Sequence, residues 1–322
     1  MTMQIGVVQA ESPGWQNAGR RNSLVLGQRH VASALGRVPP TLLILLSILS
    51  VQLGSALATV LFSSLGPAGT AVLSAGFSAA MLSLANRLQA GRRGAIPQGW
   101  TLQRHGLLVL VFGAVLAGML LPFFLALQYI PLGIASAIAF LGPLTLAVLT
   151  SRRLLHFVWI GIAVIGLVLL TPDIGVDLDP RGLGLAVLTG VAWAGFVPLS
   201  KQAGRLFAGI GGLAWGMWAA AILLLPFALV EGSLRQAGLA DFGGGFAVAL
   251  LSTVLPCVME FQALRRLSAR SYGILMTLEP ALGALVGAIF LSQDLGLRML
   301  IAIVCVTVAA IGMTLSERQD DR

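Results

Sequence analysis

From Thr41 to Leu315 the chain is a succession of apolar runs separated by short stretches of glycine, proline or charge. Runs of about 20 residues match the roughly 30 Å of hydrocarbon in a bilayer when they are helical. In lipid each backbone N–H and C=O must be bonded within its own segment, so helices are the available solution. No soluble core could hide such a pattern. Of 322 residues, 57% are hydrophobic and 10% charged, and the mean hydropathy is +0.93. The fold class these runs dictate is an all-α polytopic membrane protein.

A sliding hydropathy window predicts ten transmembrane helices, at residues 41–62, 66–86, 105–128, 131–150, 156–172, 181–200, 207–230, 243–264, 271–291 and 296–315. The connections SLGPAG, QYIPLG, DIGVDLDPRG, GLADFGGG and SQDLG are short and polar or glycine-rich. Residues 1–40 lack a sustained apolar run and are expected to form a cytoplasmic, disordered tail. Their LVLG is too short for the apolar region of a secretory signal. Residues 316–322 form a second short tail.

Charge fixes the expected orientation. With the amino terminus inside, 17 of the 20 lysines and arginines fall on the cytoplasmic side, and only Arg181, Arg235 and Arg298 fall opposite. Six acids share that opposite side: Asp173, Asp177, Asp179, Glu231, Asp241 and Asp294. This is the positive-inside pattern, and a miscounted helix would scramble it. Both termini are therefore expected in the cytoplasm, with the protein in the cell inner (plasma) membrane. The excess of base is explained by topology and does not call for nucleic acid.

Of the 12 acids, four lie in the tails, and only Glu260 and Glu279 remain within spans. A carboxylate at the bilayer centre costs about 2.5–3.5 kcal/mol on insertion scales, so such residues face a bundle or an aqueous cavity. Glu279 lies about eight residues into the ninth predicted span, roughly 12 Å deep at 1.5 Å per residue. It can serve transport, or it can be a protonated acid bonded to a carbonyl freed by Pro280. Glu260 can pair with Arg265 or Arg266 at the interface, or meet Glu279 across the eighth and ninth spans. Two carboxylates in one low-dielectric site cannot both ionise easily, and a proton held there is one that antiport could exchange.

The spans divide five and five, as residues 41–172 and 181–315. LPFFLALQ from Leu121 is similar to LPCVMEFQ from Leu255, with Gln128 opposite Gln262 and Pro122 opposite Pro256. AFLGPLTLAVL is similar to MTLEPALGALV, with Pro143 opposite Pro280. An odd number of spans per half inverts the second copy, giving two inverted five-helix repeats, an architecture that places sites near the midplane at broken helices.

Three stretches, PLGIASAIAFLGPLTLAVLTSRR, GVAWAGFVPLSKQAG and LSTVLPCVMEFQALRRLSARSYGILMTLEPALGALVGAIFL, resemble the EamA branch of the drug/metabolite transporter superfamily. Within it they are most similar to the inner-membrane threonine and homoserine exporters. The resemblance runs from about Thr41 to Leu315 and implies export of small metabolites with the proton gradient. It places the family's ninth-span Glu-Pro on Glu279 and Pro280, its eighth-span glutamate on Glu260 and its first-span glutamine on Gln52. The chain departs from the pattern at Ala139, where a fourth-span glutamate is expected. It also departs at Leu120 and Leu121, where polar residues are expected, and at Ser292-Gln293 in place of Gly-Glu. These changes make the first half's share of a pocket more apolar.

Gln52, Gln128 and Gln262 are intramembrane amides, either helix-to-helix glue or substrate contacts. Trp193 lines a cavity or packs; Trp159, Trp215 and Trp218 are explained by interface or packing. Gly283 to Gly287 reads as close helix packing. Cys257 and Cys305 behave as small core residues. His30, His105 and His156 have no metal-ligand spacing, and neither a phosphate loop nor a nucleophile elbow is present. No cofactor, metal or catalytic set is expected. The expected function is a secondary transporter, a monomer or homodimer, exporting a small metabolite such as threonine or homoserine by proton antiport. The same fold carrying a drug, nucleoside or vitamin is the alternative, and a membrane enzyme on a lipid-linked substrate is a weaker one.

Overall fold

The computed structural model describes residues 38–90, 102–149, 179–207, 210–235, 237–264, 266, 275–276, 278–293 and 296–317, with scattered helical positions between 158 and 169. Among the described residues there are helices and connecting turns but no strand. In chain order the helices are α1 (Pro40–Ala90), α2 (Leu102–Ala126), α3 (Leu132–Leu149), α4 (Pro180–Leu206) and α5 (Gly211–Glu231). After a 3₁₀ turn at Ser233–Arg235 come α6 (Leu239–Ala249), a π-helical segment at Leu250–Val254, α7 (Leu255–Leu264), α8 (Glu279–Phe290) and α9 (Leu297–Glu317).

Five of these helical stretches are long and apolar enough to cross a membrane: Pro40–Arg87, His105–Ala126, Pro180–Gly204, Gly211–Glu231 and Leu239–Glu260. Shorter apolar helices cover Leu132–Gly142, Glu279–Phe290 and Leu300–Ala309. The first run has 51 residues, about 76 Å at helical rise and more than twice a bilayer. It is broken where SLGPAG predicted a connection, at Gly66, with φ 61° and ψ 169°. Only glycine takes that conformation cheaply, and Pro67 then starts the second stretch of helix, where its missing N–H costs nothing.

Small residues set the packing. Ala68, Ala71, Ala75 and Ala79 form a buried stripe on the second stretch of α1, sharing a core with Ala214, Met217, Ala220, Leu224 and Ala228 of α5. Phe112, Leu116 and Phe124 of α2 complete that cluster. A second cluster joins Ile134, Ala135 and Ile138 of α3 to Ala186 of α4 and Ala302 of α9. Gly142 of α3 lies so close to the Gly190 carbonyl of α4 that a Cβ would collide with it. Helices in lipid gain no hydrophobic drive from meeting each other, so they associate through such close contacts. Meanwhile Leu107, Val111, Val191, Ile222, Val230 and Ile289 are exposed, as lipid-facing side chains are.

Two predicted spans are corrected. The eighth, taken as regular helix over 243–264, begins at Leu239 and widens to π-helix at Leu250–Val254. Pro256 has no N–H for the Ser252 carbonyl and its ring crowds that turn. The Leu255 N–H therefore reaches back to the Leu250 carbonyl. The ninth, taken as continuous over 271–291, breaks before Glu279, with Leu278 as the cap and Pro280 in the first turn of α8. Pro280 leaves Met276 without its helical donor, and the Leu278 N–H instead makes a tight bond to the Leu275 carbonyl. Glu279 thus stands at a helix start and not within a helix interior.

Candidate functional site

Four polar side chains fall within nine residues of α1: Ser47, Ser50, Gln52 and Ser55. All are buried, and three of them reach different elements of the carboxyl-terminal half. Ser47 Oγ donates to Glu260 Oε1 of α7 at 2.5 Å. Ser50 Oγ donates to the Leu251 carbonyl in the π segment at 2.7 Å. The α-helical donor for that carbonyl, the Leu255 N–H, bonds to Leu250 instead, and its π-helical position is Pro256, which has no N–H. Gln52 Nε2 donates to the Glu279 carbonyl of α8 at 3.1 Å and to Ser136 Oγ of α3 at 3.1 Å. The first helix therefore contacts both Glu260 and Glu279.

Glu279 is 8% exposed and Gln52 is 1% exposed. Among the described residues, Glu279 Oε2 and Gln52 Oε1 are buried without a hydrogen-bond partner. Gln52 fits only because position 283 is glycine: a Cβ there would collide with Gln52 Nε2 and come within 3.2 Å of Ser136 Oγ. Gly133 of α3 similarly meets the backbone of Ala284, with Ala284 Cα 2.7 Å from an added Cβ. The GALVG stretch is thus packing for α3 and α8, as its spacing suggested, and Gly283 also makes the pocket for the amide. Glu260 stands within electrostatic reach of Glu279. The start of α8 adds the partial positive charge of its free N–H groups to the Glu279 end of this site.

The other sequence candidates divide. Pro256 and Pro280 are buried at the π segment and the α8 start, and both make breaks that shape the site. Pro122 is buried inside α2. Pro143 falls inside α3, with its side chain outside the described residues. Trp193 packs edge-on against Phe140, centroids 6.0 Å apart, at the α3–α4 crossing. Gln128 is exposed beyond the end of α2, so the structure does not bring it to this cluster. The Gln262 carbonyl accepts from Arg266 Nε at 3.3 Å, and Arg266 also donates to the Val38 carbonyl at 3.0 Å. Ala139, at the expected fourth-span glutamate, is 1% exposed and its carbonyl faces Gly190.

Ser47, Ser50 and Ser136 escaped the sequence reading. A signal existed in the polar set of an otherwise apolar first span, but serines bond their own helix so readily that spacing alone does not separate partners. The departure at Ser292-Gln293 also acquires a role. Ser292 has a positive φ of 52°, and Gln293 Oε1 accepts from the Leu132 N–H at 3.2 Å, capping α3. Among the described residues no group of three His, Cys, Asp or Glu could hold a metal. The cluster is one of oxygen acceptors and hydroxyls, suited to a cationic group and to a proton.

Residues 180–315 match the EamA-like transporter family. The chain is 35% identical over 287 residues to the threonine/homoserine exporter RhtA of Salmonella typhimurium (strain LT2), covering 87% of this chain and 93% of that one. It is 35% identical over 289 residues to the threonine/homoserine exporter RhtA of Escherichia coli (strain K12), covering 88% and 94%. A solved crystal structure shares the fold with TM-score 0.56 over 87% of this chain and 98% of the other, at 21% identity. With apolar helices long enough to cross a membrane and exporters for relatives over most of its length, this chain belongs to the EamA-like transporter family.

Proposed function

We propose that this protein is a secondary transporter that exports a small amino acid, of the threonine or homoserine kind, in exchange for protons. The reading takes its cargo from the relatives' stated activity and its site from Glu260, Glu279 and Gln52. The observation that carries it is the convergence of Ser47, Ser50 and Gln52 of one helix on the two glutamates and the π segment. An ammonium at Glu279 would supply the donor that Oε2 lacks. The start of α8 favours negative charge, so the substrate carboxylate has a natural place along that helix end. Competition between ammonium and proton for the same carboxylates is the simplest form of antiport.

The proposal includes ten spans in two inverted five-helix repeats, both termini cytoplasmic, in the inner membrane. It is supported by the charge asymmetry of the connections. No enzymatic step is assigned.

The test is flux into proteoliposomes from a panel of amino acids, nucleosides and cationic drugs, with and without a pH gradient, for wild type and Glu279→Gln. Gradient-driven amino-acid flux in wild type, lost in the variant, is the expected result. Undiminished, pH-indifferent flux in Glu279→Gln sinks the coupling role. Flux of a drug or nucleoside alone sinks the cargo.

A further inference from the structure

We infer that Gln52 is the specificity-determining residue for a side-chain hydroxyl on the exported amino acid, its carbonyl oxygen accepting that hydroxyl beside the carboxylate that takes the ammonium. The inference rests on the function proposed above and adds to it the group that distinguishes one amino acid from another. The orientation of the amide follows from its neighbours. The Glu279 carbonyl can only accept, so the atom of Gln52 facing it at 3.1 Å must be the donor Nε2. The second hydrogen of Nε2 is directed at Ser136 Oγ, also at 3.1 Å. Gly283 leaves no room for the amide to be displaced towards its own side. Both donors are thereby spent on protein, and Oε1 is held out as a pure acceptor.

That acceptor is unpartnered in a side chain 1% exposed. Glu279 Oε2 is unpartnered in a residue 8% exposed. Gln52 is bonded to the backbone of Glu279 itself, so the two residues that carry these oxygens meet where α1 and α8 cross. A ligand that satisfies both presents two donor groups at one end. The ammonium and β- or γ-hydroxyl of a small hydroxy-amino acid do so, and the deoxy analogue offers only one. A site whose buried acceptor is left unpaired rejects the analogue; one such hydrogen bond corresponds to about tenfold in discrimination. Ser136, which does not touch substrate in this scheme, is a positioning residue.

The experiment compares threonine with 2-aminobutyrate, its deoxy analogue, in counterflow on purified, reconstituted full-length protein. Wild type, Gln52→Leu and Ser136→Ala are measured in parallel. The expected result is a wild-type preference for threonine of about tenfold, abolished in Gln52→Leu by loss of threonine transport towards the 2-aminobutyrate level. Ser136→Ala, a conservative change, is expected to reduce the preference part-way. Equal transport of both amino acids by wild type overturns the inference, as does an unchanged preference in either folded variant. Should Gln52→Leu fail to fold, Ser136→Ala decides alone. Wild-type protein that moves neither amino acid fails the transport reading itself, an outcome distinct from amino-acid flux with a misassigned Gln52.

Discussion

Gln52 donates to the backbone carbonyl of Glu279 across 227 positions of chain, tying the first helix to the broken start of α8. Gly283 makes room for that bond. Gly283→Ala should therefore displace the amide rather than merely tighten packing, because its added methyl overlaps Nε2. We expect transport to fall about tenfold or more, consistent with the loss of one or two buried hydrogen bonds. Initial-rate flux together with an apparent melting temperature checks this. Normal flux with a lowered melting temperature would return Gly283 to a packing role.

Ser50→Ala removes the donor to the Leu251 carbonyl, whose α-helical donor Leu255 bonds elsewhere and whose π-helical position is Pro256. A buried acceptor left unsatisfied costs about 1–3 kcal/mol, so the variant should melt at lower temperature. Combining it with Pro256→Ala, which restores an N–H to the helix, should recover part of that loss. A double-variant melting cycle that is simply additive would rule out the coupling.

Glu231, at the end of α5, accepts from the N–H groups of Ala68 and Gly69 at 3.1 and 3.2 Å. It caps the second stretch of α1 at its start, where a carboxylate also suits the helix dipole. Glu231→Ala should cost about 0.5–2 kcal/mol, as lost N-caps do. Gly66→Ala should cost more than that alone, since φ is 61° and the new methyl would strike the Glu231 carboxylate. Thermal melts of both single variants and of the pair give the comparison. A neutral Gly66→Ala would contradict the geometry.

Ser292 holds a φ of 52°, a conformation costing a side-chain-bearing residue about 1–2 kcal/mol. Ser292→Gly should stabilise by about 1 kcal/mol after the extra freedom of glycine in the unfolded chain is counted. Gln293→Ala should destabilise by removing the acceptor for the Leu132 N–H. Opposite shifts in melting temperature for these neighbours are expected; shifts of the same sign would count against it.

Glu260→Gln retains an acceptor for the Ser47 hydroxyl, held at 2.5 Å in the native chain, but deletes the titratable carboxyl. Flux without a gradient should persist at a reduced level, while its response to a pH gradient should fall. Flux ratios at two gradient strengths distinguish this from Ser47→Ala, which should weaken flux at both.

Much of the fold was legible because lipid imposes its demands locally. Each span must satisfy its own backbone, so run length, the glycine-proline connection before Gly66, and the two acids left over in spans could be read in order along the chain. Glu260, Glu279, Pro256 and Pro280 are legible in that way and Gln52 through the family resemblance; Gln52 bonds to the backbone of Glu279 and Glu260 accepts from Ser47. Gln128 looked like the partner of Gln262 by repeat alignment, yet it lies exposed past the end of α2. A two-residue difference in where a helix stops is invisible to hydropathy, because apolar residues continue around it. What the sequence determined by itself was the solvent, the helical class and which polar residues were costly enough to need a reason. Which serine meets which carbonyl and which face of Gln52 is left without a donor were decided only in tertiary structure. Those outcomes depend on contacts between residues more than 80 positions apart, and no local rule of propensity or periodicity carries that information.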